Sequence, residues 1–113
     1  MHDELISAIL LRDDSLHLIL ESGGRPSYQY IYREARSVYW EPGQSSFRCS
    51  RSSTGLSLLE LFRHMVDVIH EFGLALSFSP KLAFEGVPDP AVESIRAEIG
   101  VYQRLGQSNG ESK

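Results

Sequence analysis

The sequence predicts an α+β domain: a mostly antiparallel sheet of about five to six strands, in the order β-β-β-β-β-α-β-α, with two helices packed on one face. Three observations predict it. Several short segments alternate apolar and polar residues with period two, as half-buried strands do. Residues 58–72 repeat their apolar positions at three- and four-residue spacing behind a helix-capping pattern. Gly and Pro mark the joints, at Gly23-Gly24, Pro42-Gly43, Gly73 and Pro80.

Taken in order, residues 5–12 and 15–21 flank Asp13-Asp14. Leu16, Leu18 and Leu20 share one face of the second segment, and His17, Ile19 and Glu21 share the other, so the pair reads as a β-hairpin. A competing reading makes residues 3–11 a short helix, since Asp3 and Glu4 suit a helix N-terminus. After the break at Ser22–Pro26, Tyr28, Tyr30 and Tyr32 alternate and predict a strand over 28–33. Arg36–Glu41 and Ser46–Arg51 read as further strands, with Phe47 and Cys49 on one side of the latter and Arg48 on the other. Residues 50–55 read as a polar loop.

Ser57-Leu-Leu-Glu60 has the form of a capping box. Behind it Leu58, Leu61, Phe62, Met65, Val68, Ile69 and Phe72 fall on one helical face, and Gly73 supplies the stop. Leu74–Ser79 alternates as a strand that Pro80 ends, and residues 81–88 read as loop with room for a short strand at 82–84. Asp89-Pro90 opens a second helix, an acidic cap before proline. Its apolar residues are Val92, Ile95, Ile99 and Tyr102, and Gly106 ends it.

The chain has 113 residues, 42% hydrophobic and 23% charged. That predicts a single domain over 1–106 with a disordered tail at 107–113, and excludes a fully disordered chain or a disulfide scaffold. The formal charge of -4 and pI near 5.5 disfavour a nucleic-acid partner, which needs a basic surface. Even so, residues 25–55 hold five Arg (Arg25, Arg33, Arg36, Arg48, Arg51) against Glu34 and Glu41. The single cysteine, Cys49, allows no intramolecular disulfide and suits a reducing compartment. The acidic start Met-His-Asp-Glu is unlike a secretory signal, and no run approaches the roughly 20 apolar residues of a membrane span. A cytoplasmic protein with no membrane contact is expected.

Four constellations bear on function. Glu60, His64, Asp67 and Glu71 form a stripe along the long helix. Such a stripe can bind a divalent metal, but a solvated face with Arg63–Asp67 and Asp67–His70 pairs explains it as well, and no metal or cofactor is expected. Tyr28, Tyr30, Tyr32, Tyr39, Trp40 and Phe47 are interleaved with Arg33 and Arg36 and followed by Arg48. Tyr, Trp and Arg are the residues enriched at interface hot spots, although half of these rings are needed beneath the helices. Cys49 shares its strand side with Phe47 and reads as inert packing. Trp40 lies directly before the Pro42-Gly43 turn and reads as a lid on the core or as the wall of a pocket at the sheet rim, with Glu41 as its polar group. No nucleophile elbow or phosphate-binding glycine motif is present.

In size and layout, residues 28–78 resemble small bacterial proteins carried on mobile gene cassettes of the integron type, and small immunity-type inhibitors. The resemblance rests on Tyr28-Gln-Tyr-Ile-Tyr32, Val38-Tyr-Trp-Glu-Pro42 and Phe47-Arg-Cys49, leading into Leu58–Val66 and Gly73-Leu74. It implies a homodimer or a protein that binds one protein partner.

The expected function is therefore a small non-enzymatic binding protein. It self-associates or binds one protein partner through an aromatic, Arg-rich sheet surface formed by Tyr28, Tyr30, Tyr32, Arg33, Trp40 and Arg48. One alternative is a small-molecule-binding domain or small enzyme with a pocket between sheet and helices. There Trp40, Tyr28 and Arg33 hold the ligand, and Glu60 or His64 moves a proton. The other is an immunity-type inhibitor that uses Glu60, Asp67 and Glu71 as an acidic docking face.

Overall fold

Asp13 and Asp14 both take positive φ, 52° and 63°. This is the backbone of a type I′ turn, whose twist matches that of the strands it joins. It closes the hairpin of β1 (His2–Arg12) and β2 (Ser15–Leu20), so the segment 3–11 is strand and not helix. The chain, a computed structural model described over residues 2–33 and 37–111, continues through a 3-10 helix (Pro26–Arg33), β3 (Val38–Glu41), β4 (Ser46–Ser50), α1 (Arg51–Thr54), α2 (Leu58–Glu71), β5 (Leu74–Glu85) and α3 (Asp89–Glu111). One sheet holds all five strands in the order β3-β4-β2-β1-β5, and only the β1–β5 pair is parallel. β4 and β5 therefore point the same way, and α2 is the crossover between them.

Pairing fixes which side chains share a face. Leu16, Leu18 and Leu20 of β2 lie opposite Leu11, Ile9 and Ile6 of β1, and Leu16 and Leu18 lie opposite Cys49 and Phe47 of β4. A bulge between Ile6 and Ala8 shifts the phase of β1, which is why residues 5–11 do not alternate in sequence. This face meets Leu61, Phe62, Met65, Val68 and Ile69 of α2 and Ile95 of α3, all buried. The capping box of α2 is in place: the Ser57 hydroxyl accepts from the Glu60 amide, and the Glu60 carboxylate accepts from the Ser57 amide at 3.0 Å. Arg63 does not pair with Asp67. It reaches across to Glu98 of α3 at 3.0 Å.

Four local expectations are corrected. The predicted strand at 28–33 is a 3-10 helix. Tyr28 and Ile31 are the buried pair and Gln29 and Tyr30 are exposed, which is a period of three. Pro26, with its fixed φ, starts it, and the Tyr28 amide donates to the Arg25 carbonyl at 3.0 Å. Arg51 leaves the strand to open α1. The Asp14 carbonyl accepts from the Arg51 amide at 2.8 Å, and the Asp14 carboxylate accepts from the Ser52 amide at 2.9 Å. Pro80 does not end β5. It sits where pairing with β1 lapses, between Phe78 and Ala83, on the outer strand where its missing N–H is harmless. α3 passes Gly106 and runs to Glu111, since an interior glycine weakens a helix by about 1 kcal/mol without stopping it. Residues 112–113, the end of the tail expected at 107–113, lie outside the described residues. No helix among the described residues is long and apolar enough to cross a membrane.

Cys49 faces the core as expected and is fully buried. Burial pushes its thiol up to about 11, against a weaker opposing pull from Arg48. The folded thiol thus holds its proton at pH values where an unfolded one, near 8.5, has lost it. Its contribution to stability is complete below about pH 8.5 and is lost as the pH rises toward 11. Denaturant midpoints measured from pH 8 to 11 should fall more steeply in the wild type than in Cys49→Ala, and identical slopes would refute this.

Candidate recognition face of the sheet

The described helices occupy one face of the sheet. Tyr28 of the 3-10 helix packs on Trp40 and Phe47, and Tyr102 of α3 packs on Phe78, all on the side that α2 covers. No described helix packs on the other face. There the register lines up Tyr39, Arg48, His17 and Leu10 in a row across four strands. A second row holds Glu41, Ser46, Ile19, Ala8 and Ala83. Tyr39 is 46% exposed, and Leu5, further along β1, is 36% exposed. The Arg48 guanidinium lies over the Tyr39 ring, 5.1 Å from its centre, and its Nε donates to the Glu41 carboxylate at 3.2 Å.

Beside this stack is a hollow of about 290 Å³ lined by Arg12, Asp13, Ser15, His17, Glu41, Gln44 and Arg48. His17, one of the lining residues, is only 7% exposed. The imidazole is held below its ordinary value, first by burial and then by the Arg12 and Arg48 charges, against smaller opposing effects of Glu41 and Asp13. It is therefore neutral at physiological pH.

Among the described residues, the expected site is divided between the two sheet faces. Tyr28 and Trp40 belong to the helix-covered face, edge-on to each other at 5.2 Å, and Trp40 also packs on Phe47 at 4.9 Å. Gly24, with φ of 78°, passes directly beneath the Trp40 indole, where a Cβ would collide with the ring. Tyr30 is exposed on the 3-10 helix. The side chains of Tyr32 and Arg33 lie outside the described residues, as does Arg36. Arg48 is placed on the open face, opposite to Tyr28 and Trp40. Tyr39, which joins it there, belonged to the aromatic series but not to the expected site.

A cavity of about 400 Å³ lies between β5 and α3, lined by Phe78, Leu82, Arg96 and Ile99 among others, and none of Trp40, Tyr28, Glu60 or His64 borders it. Glu60 is exposed and committed to the cap, where the Ser57 bonds hold its carboxyl below the usual range. Glu60, Asp67 and Glu71 are all exposed. Among the described residues no group of three His, Cys, Asp or Glu side chains is arranged to hold a metal ion.

Two participants left no sequence signal as site residues. Glu4 is 5% exposed on the helix side, where its carboxylate accepts from the Tyr28 phenol and from the Ser22 hydroxyl at 2.7 Å. His17 is flanked by Leu16 and Leu18, and only the strand register shows that it joins Arg48. Comparison of the chain with protein-family models, curated proteins and solved structures finds no match.

Proposed function

We propose that this chain is a non-enzymatic binding protein that associates with a second copy of itself through the open face of its sheet. The observation that carries the reading is the side-chain set there: exposed Tyr39 and Leu5, half-buried Ala8 and Ile19, and the Arg48–Glu41 pair, on a face that no described helix covers. Sheets bury an apolar face against another layer, and two sheets stack face to face about 10 Å apart. The face also carries both signs of charge. A two-fold axis would set Arg48 of one copy near Glu41 of the other, the self-complementarity that an isologous dimer needs. Tyr and Arg at its centre fit the residue preference of interface hot spots.

Sedimentation velocity over a concentration series tests this. The wild type should pass from monomer to dimer in the micromolar range, an association of about -8 kcal/mol. Leu5→Glu and Tyr39→Glu should each stay monomeric while keeping the circular dichroism spectrum of the wild type. A wild type that remains monomeric into the hundreds of micromolar would overturn the reading, as would a dimer that both substitutions leave intact.

A further inference from the structure

The cavity of about 400 Å³ between β5 and α3 follows from how β5 pairs. Ile6 of β1 lies opposite Phe78 and Ala8 lies opposite Ala83, so Ser7 alone spans residues 79–82 of β5. A bulged strand bends, and Phe78, Ser79, Pro80 and Leu82 of this bend form one wall. Arg96, Ile99 and Gly100 of α3 form the other. A Cβ placed on Gly100 would meet no atom within 4 Å, so crowding does not require a glycine there. An interior glycine weakens a helix, and here its effect is to leave the space beside α3 open.

We propose that this cavity binds a small carboxylate with an apolar body, such as a medium-chain fatty acid. Phe78, Leu82 and Ile99 give it an apolar lining. Among the described residues Arg96 is the one charged group of that lining, so no carboxylate of the wall offsets it. Its guanidinium lies over the Phe84 ring, 4.8 Å from the centre. Phe84 is two residues beyond Leu82 on the same strand, which holds the cation at the Leu82 end of the cavity. Stacking uses the flat face of a guanidinium and leaves the N–H donors at its edge. Arg48, Arg51 and Arg63 each engage a carboxylate, whereas among the described residues Arg96 engages none. Its fork of donors matches a carboxylate in two parallel bonds. The volume falls in the range of small-molecule pockets, roughly 300–1,000 Å³, in which apolar walls hold the body of a ligand and a few polar groups orient it. The site lies on the helix side of the sheet, so it does not depend on the proposed dimer.

The test is a titration of the ¹⁵N-labelled protein with sodium octanoate, beside 1-octanol as the tail without the charge and sodium acetate as the charge without the tail. Octanoate should cause saturable shifts at the amides of Phe78, Ser79, Leu82, Arg96 and Gly100, and the other two should bind about ten-fold more weakly or not at all. Arg96→Gln, at an exposed position, should weaken octanoate binding about ten-fold, as loss of a charge-assisted hydrogen bond does, and leave the response to octanol unchanged. Gly100→Leu should abolish the octanoate response by filling the space, with a denaturant midpoint no lower than that of the wild type, because leucine is the better helix former. Absence of a saturable octanoate response in the wild type overturns the proposal. So does equal binding of octanoate and octanol, or an octanoate response that Arg96→Gln leaves unchanged. Should Gly100→Leu fail to fold, the Arg96→Gln titration still decides.

Discussion

Phe47→Ala should lower the stability of this protein by about 3–5 kcal/mol, the range for removing a fully buried phenylalanine ring. Phe47 is completely buried in the middle of β4, opposite Leu18 on one side and Trp40 on the other. Its ring lies 4.9 Å from Trp40 and 5.5 Å from Tyr28. The cavity would open where the sheet, the 3-10 helix and α2 meet, and little there can collapse into it. A domain of this size holds about 5–15 kcal/mol in all, so the loss is a large share of the total. Guanidinium unfolding followed by the fluorescence of Trp40, the single tryptophan, gives the value directly. Tyr39→Ala, on the opposite face of the adjacent strand, is the control and should change stability by about 1 kcal/mol or less. If the two substitutions cost the same, the assignment of inner and outer faces is wrong.

Tyr28→Phe should cost about 2–3 kcal/mol, unusual for the loss of one oxygen atom. The phenol donates to a carboxylate that is itself 95% buried, and a hydrogen bond to a buried charge is worth roughly twice a neutral one. Glu4 keeps its bond from Ser22 but loses a donor it cannot replace from solvent. The companion variant Glu4→Leu/Tyr28→Phe, which removes both partners, should recover most of the loss, because neither group is then left unsatisfied. If the double variant is less stable than Tyr28→Phe alone, the pair contributes by packing rather than by its hydrogen bond.

The same pair sets an alkaline limit. Burial, reinforced by the bond to Glu4, pushes the Tyr28 phenol well above its ordinary value near 10. The folded protein then holds a proton that the unfolded chain releases. This contribution is complete below about pH 10 and is lost above it. Tyr28→Phe should therefore show a shallower decline in stability above pH 10 than the wild type.

The helix α2 was legible because its determinants are local. The Ser57–Glu60 cap and the spacing of Leu61, Phe62, Met65, Val68 and Ile69 act within a few residues of one another. The hairpin and the inward side of β4 were legible for the same reason, and Cys49 followed from Phe47 two residues before it. The tyrosine run misled because alternation at 28, 30 and 32 imitates a strand, whereas burial selected Tyr28 and Ile31. Nothing nearby in the chain records that choice. It is made by Glu4, 24 residues away, and by the Trp40 and Phe47 rings. The open sheet face was half legible: Arg48 was expected there, but its neighbours Tyr39 and His17 are set by cross-strand register.

By itself the sequence determined which segments are amphipathic, where the chain turns and that the domain is α+β, since hydrogen bonding and side-chain periodicity over a turn or two are properties of neighbours. Only the tertiary structure decided which aromatic rings were used up as core and which sheet face was left without a helix. Strand order determines that outcome by bringing distant residues together, as when pairing of β2 with β4 sets His17 beside Arg48.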